Sequence, residues 1–178
     1  VGPFQQKPYM CLAPASVWFT KQLPAHQWVK LIQQLPFEGD LYLIGGAGDY
    51  DLCEQIRQAA GTDQVQNLCG KFNLLQSAAL MAKAAFNYVN DSGPMHLASA
   101  VDAPVCAVYC STVPDFGFGP LSGKSAVVEV AEPLDCRPCG LHGHRKCPQG
   151  HFRCGENITT QQLIRAWKTT VGTPEGAN

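Results

Sequence analysis

Short apolar runs that alternate with segments of helical period constrain this chain more than any other feature of its sequence. Residues 41–44 form one run, ended by Gly45-Gly46; residues 86–89 form another, ended by Asn90-Asp91; residues 104–109 form a third, ending near Ser111-Thr112. Residues 9–12, 65–68 and 127–130 are further candidates. Between them, Trp28, Leu31, Ile32 and Leu35 keep helical spacing after Pro24, and Leu75, Ala78, Ala79, Met81 and Ala82 fill a helix of small residues. A last helix is expected over 159–171, with Thr159 as its N-cap and Leu163, Ile164 and Trp167 on its apolar stripe. Repeated βα units of this kind build a parallel sheet with helices on both faces, an α/β, Rossmann-like class.

With 178 residues, 46% of them hydrophobic, the chain can bury one sizeable core, and residues 1–178 are expected to form one domain. Thirteen basic residues against fourteen acidic ones leave a formal charge of -1, so no global field attracts nucleic acid or an anionic membrane surface. Recognition of phosphate must then be local. No apolar run reaches the roughly 20 residues of a membrane span. The chain starts at Val1 without an initiator methionine, and a piece of something longer is expected.

Nine cysteines fall into two groups. Cys11, Cys53, Cys69, Cys106 and Cys110 sit in apolar stretches, where a free thiol behaves as a small hydrophobe. Cys136, Cys139, Cys147 and Cys154 bunch within residues 132–157, a long Pro-containing loop that also holds His142, His144 and His151. The odd, scattered total favours a reducing compartment over a secreted disulfide scaffold. The four bunched thiols could form a tetrahedral zinc site, stay reduced, or pin the loop with one disulfide; four protein ligands would make any zinc structural.

In open parallel sheets, ligands bind beyond the carboxyl ends of the strands. Residues 16–21, 45–49, 91–96 and 111–120 follow the first, second, fourth and fifth runs. In the 91–96 segment, Gly93 lets backbone approach a ligand, Pro94 suits a first helical turn, and the N–H groups there attract phosphate, with His96 one turn further in. The bland alternative is that Asp91 or Ser92 only caps the helix. Lys21 beside a phosphate would neutralise charge on a departing diphosphate; otherwise it is a solvated lysine. Asp49 or Asp51 could accept ribose hydroxyls or cap a helix, and the 45–49 stretch lacks the full G-x-G-x-x-G spacing.

In order along the chain stand Ala13-Pro14-Ala15-Ser16, Lys21-Gln22-Leu23-Pro24, Ile44-Gly45-Gly46, Leu68-Cys69-Gly70, residues 90–98 (Asn-Asp-Ser-Gly-Pro-Met-His-Leu-Ala) and residues 104–112. This order resembles the C-terminal domain of the ADP-heptose:lipopolysaccharide heptosyltransferases, glycosyltransferase family nine, over nearly the whole chain. The tail around Cys147-Pro148-Gln149-Gly150-His151 resembles a segment of many members.

The resemblance implies the C-terminal half of a GT-B fold, which holds the donor, with an N-terminal acceptor domain absent from this chain. It implies that Ser16 and Lys21 bind the donor phosphates, that Asp91, Ser92, Gly93 and His96 contact phosphate and heptose, that Phe72 sits by the adenine, and that the ribose carboxylate is Asp49. It further implies inverting transfer of heptose from ADP-heptose to the lipopolysaccharide inner core, with Lys21 stabilising the leaving group and the general base in the missing domain. No cofactor and no catalytic metal are implied; the acceptor is a lipid-linked saccharide. The expected setting is cytoplasmic, with peripheral placement at the inner face of the membrane left open. Val17 stands where a hydroxyl residue is common and Gln22-Leu23 replaces a basic-aromatic pair, departures that bear on the donor and not on the fold. The competing readings are a GT-B domain for another nucleotide sugar, in a transferase or an epimerase, and a zinc-stabilised interaction module.

Overall fold

A computed structural model of the chain describes residues 1–172; residues 173–178 of the expected 1–178 unit lie outside the described residues. Strands β1 (Tyr9–Ala13), β2 (Asp40–Leu43), β3 (Val65–Asn67), β4 (Phe86–Asn90), β5 (Val105–Tyr109) and β6 (Ser125–Glu129) form a single sheet in the order β3-β2-β1-β4-β5-β6. Every neighbouring pair is parallel, with Met10 of the central β1 paired to Leu41 on one side and Phe86 on the other. Strands buried on both faces read as continuous apolar runs, which is why β1, β4 and β5 were visible in the sequence.

Side-chain alternation along β1 sorts the core into two layers. Met10 and Leu12 pack with Trp28 and Leu31 of α1 (Ala25–Gln34), Cys53 and Ile56 of α2 (Tyr50–Ala60), and Leu163 and Trp167 of the C-terminal helix Thr160–Val171. Tyr9, Cys11 and Ala13 pack on the opposite face with Leu80 and Met81 of α3 (Leu74–Lys83) and Met95 and Ala98 of α4 (Gly93–Ala100). Helices thus cover both faces. α3 starts at a reciprocal capping box, in which the Asn73 side chain accepts from the Gln76 N–H at 2.9 Å and the Gln76 side chain returns to the Asn73 N–H at 3.0 Å. Thr159 and Gln162 form the same device at the start of the last helix, as expected for Thr159.

Three differences from the sequence reading have physical causes. α2 was not anticipated, because its fully buried stripe is only Cys53, Ile56 and Ala60, with Leu52 partly buried beside it and most of the remaining positions polar. The 132–157 loop is not wholly irregular: it contains a short helix α5 (Arg153–Glu156), so the C-terminal helix is α6. It is also no free-standing module, since Leu134, Phe152 and Cys154 are buried in the same core layer as α1 and α6, and Phe152 meets Phe19 with ring centroids 5.1 Å apart.

Candidate functional site

The order 3-2-1-4-5-6 reverses direction between β1 and β4, where connections leave the sheet on opposite faces and open a crevice at the strands' carboxyl ends. A cavity of about 460 Å³ lies there. Ala15, Ser16 and Val17 after β1, Gly45, Gly46 and Asp49 after β2, and Ser92, Gly93 and Pro94 after β4 contribute to its wall, and Phe72, Leu74 and Ser77 close it from the start of α3. The structure therefore brings Ser16, Asp49, Phe72, Ser92 and Gly93 to one opening. A Cβ built at Gly93 meets nothing within 4 Å, so the backbone there borders open space.

The alternative in which Asp91 or Ser92 serves as a helix cap is not what the structure shows. The Ser92 hydroxyl donates back to the Asn90 carbonyl at 3.3 Å, and no side chain caps α4. Asp91 is engaged elsewhere: its Oδ2 accepts from Lys21 Nζ at 2.6 Å and from the Thr112 hydroxyl at 2.6 Å. This pair is largely withdrawn from water, with side chains 16% and 8% exposed for Lys21 and Asp91. Lys21 is accordingly not the solvated lysine of the bland reading. Neither lines the cavity, but Asp91 immediately precedes Ser92 of its wall and holds Lys21. An ammonium carries three donors, so the one on Asp91 leaves others for an anion.

Asp49 has a structural task as well as its place in the wall, since its Oδ2 accepts from the Gly46 N–H at 2.8 Å and closes the turn at 47–49. Phe72 is fixed from behind by Phe4, whose ring meets it edge-on with centroids 5.5 Å apart and meets Tyr42 in the same way at 5.7 Å. Like Lys21 and Asp91, His96 does not line the cavity; its ring lies edge-on to Phe118, centroids 6.2 Å apart.

Sequence reasoning assigned no role to the residues that hold this arrangement. Asn90, fully buried at the end of β4, donates to the Pro14 carbonyl at 2.6 Å and accepts from the Leu23 N–H at 3.0 Å, tying both ends of the 14–23 loop to the sheet. Gln22 closes that loop on itself by donating to the Ser16 carbonyl at 2.6 Å. The one signal in the sequence was a polar residue ending an apolar run.

For the cysteine cluster, burial and then the charges of Cys147 and Cys136 push the Cys139 thiol up, and burial pushes Cys154 up to about 11, so the four lie in one neighbourhood. Among the described residues, however, no group of three or more His, Cys, Asp and Glu side chains is arranged to hold a metal. His151 accepts the Arg153 N–H on Nδ1 at 3.1 Å, and its Nε2 lies 4.0 Å from Cys136 Sγ.

Residues 2–147 match the model of glycosyltransferase family 9 (heptosyltransferase). The chain belongs to glycosyltransferase family 9. Lipopolysaccharide heptosyltransferase 2 of Salmonella typhimurium is 33% identical over 150 residues, which are 81% of this chain and 41% of that protein. Among solved structures, E. coli ADP-heptose lps heptosyltransferase II superposes with a TM-score of 0.76 at 28% identity, covering 93% of this chain and 47% of that one. The E. coli heptosyltransferase WaaC with ADP shares the fold, with a TM-score of 0.64 at 22% identity over 92% of this chain and 44% of that one. The chain thus spans less than half the length of the family 9 relatives it matches. Among the described residues, no helix is long and apolar enough to cross a membrane.

Proposed function

We propose that this family 9 chain is the donor-binding half of an inverting heptosyltransferase, taking ADP-heptose and serving transfer to the lipopolysaccharide inner core. The observation that carries the reading is the crevice at the β1/β4 switch point, bordered by the uncapped start of α4 and backed by the Lys21–Asp91 pair. A diphosphate at the opening would meet helical N–H groups at Ser92-Gly93 and the Lys21 ammonium. The adenosine would extend toward Phe72, with Asp49 near the ribose. In the transfer, the acceptor oxygen bonds to the anomeric carbon while the bond from that carbon to the phosphate oxygen breaks, and ADP leaves with the electron pair. The acceptor's proton goes to a base in the other half of the enzyme. Lys21 and the α4 terminus stabilise the charge gathering on ADP, which is the electrostatic work a metal would otherwise do, and no cofactor is assigned.

In this proposal residues 1–178 are one nucleotide-sugar domain, a lipid-linked saccharide is bound by the other half, and the setting is the cytoplasm. Calorimetry with ADP-heptose, UDP-sugars and GDP-sugars tests it: ADP-heptose is expected to bind best, and unchanged binding in Lys21→Ala and Asp91→Ala would refute the site. The second reading, another nucleotide sugar in a transferase or an epimerase, draws on Val17, a 90% exposed apolar side chain in the wall where the family resemblance leads one to expect a hydroxyl. Tighter binding of a UDP- or GDP-sugar would select it.

A further inference from the structure

The cysteine-rich loop contributes nothing to the cavity wall, yet it is fastened at two places to the residues that flank the Lys21–Asp91 pair. On the lysine side, the Thr20 N–H donates to the His144 carbonyl at 3.1 Å and the His144 N–H donates to the Thr20 hydroxyl at 2.7 Å. Thr20 is 1% exposed, and its hydroxyl also accepts from Ser111 at 3.0 Å. Gly143 lies directly on the lysine stem: a Cβ built there would stand 2.9 Å from Lys21 Cγ and 3.1 Å from Thr20 Oγ1. Its φ of +80° is left-handed, so both backbone and space exclude a side chain at this point. On the aspartate side, Arg137 donates to the Cys110 and Thr112 carbonyls, each at 2.7 Å, and is itself paired with Glu129. The Cys139 N–H adds a bond to the Ser111 carbonyl at 2.7 Å. Thr112 in turn donates to Asp91.

We infer that the 137–144 strap is a positioning device for Lys21, and that Thr20, Gly143 and Arg137 act on donor binding through that lysine. The inference rests on the donor-site reading above and gives the cysteine-rich loop a part in it. A free lysine stem has four rotatable bonds, and a ligand that must order it loses affinity accordingly. Here the stem is pressed between Gly143 and the protein, and its ammonium is held by an aspartate whose other partner is fixed from the same loop. The charge is set before the diphosphate arrives.

The test uses the chain as it stands, with ADP binding by calorimetry and adenosine binding, which needs no lysine, by NMR titration. Thr20→Val keeps the shape of the side chain and removes its hydroxyl; Thr20→Ser restores the hydroxyl; Gly143→Ala pushes on the Lys21 stem. Thr20→Val and Gly143→Ala are each expected to weaken ADP about tenfold and leave adenosine within about twofold, while Thr20→Ser, which keeps the hydroxyl, is expected to bind ADP as the unsubstituted chain does. In a Lys21→Ala background, Thr20→Val is expected to cost nothing further, because its effect passes through the missing ammonium. ADP affinity unchanged in both variants, an equal loss for adenosine, or the same loss in the Lys21→Ala background would each overturn the inference. Failure of the unsubstituted chain to bind ADP, or an indifferent Lys21→Ala, overturns the donor-site reading itself.

Discussion

Lys21 and Asp91 show how a single residue's meaning depends on partners distant in sequence. Either side chain alone reads as surface charge; together, 2.6 Å apart and mostly buried, they form a pair that water does not screen. Lys21→Ala is expected to reduce ADP affinity by about 1.5 to 3 kcal/mol, the range for a charged hydrogen bond, with calorimetry as the check. Asn90 is a structural counterpart. Replacing it by Ala strands the Leu23 N–H and the Pro14 carbonyl in the interior, and a loss of about 1 to 3 kcal/mol in denaturant unfolding is expected. Ser92 and Gly93 stood out in local sequence because they open α4, and Asp49 because it follows a glycine pair after a strand. Ser16 and Phe72 were given roles only through the family resemblance, since neither adjoins a strand end or a helix start. Asn90 and Thr112 did not stand out, because what gives them a role is a partner 76 and 21 residues away.

The elements that were easiest to read are those with no polar face. β4 and β5 are buried on both sides and announce themselves as apolar runs, β1, equally buried, was only a further candidate, and α2, which buries one narrow stripe, was missed. Capping chemistry is equally local, and it matters here because α3 carries a wall of the cavity. Asn73→Ala removes one half of a reciprocal cap and is expected to lower stability by about 1 kcal/mol, measured as a shift of the urea midpoint at constant slope. An unaltered midpoint would mean that the first turn of α3 is held by packing alone. The cysteine-rich loop was the opposite case. Its spacing left zinc, reduced thiols and one disulfide all open, while its fastening to Thr20, Ser111 and Thr112 rests on long-range bonds that no spacing rule can show.

Across the whole molecule, the doubly wound order sets both the site and the response to pH. Burial holds Cys154 up to about 11 and Tyr9 up to about 12, and pushes the Cys11, Cys106 and Cys110 thiols above their ordinary range. An unfolded thiol loses its proton near pH 8.5, so these neutral groups stabilise the fold fully below that pH. The Cys154 contribution is lost as pH rises through about 11 and that of Tyr9 through about 12, with the other three thiols following at higher pH. The melting temperature followed by circular dichroism is therefore expected to fall steadily above about pH 8.5, and a flat profile up to pH 11 would contradict the burial of these groups. The sheet itself begins only at Tyr9, yet Phe4 wedges between Tyr42 and Phe72, with the Lys71 ammonium 5.3 Å from its ring centre. A domain boundary drawn at the first strand would keep all six strands and remove the aromatic prop behind the cavity. On the donor-site proposal, a chain cut there is expected to lose affinity for adenosine.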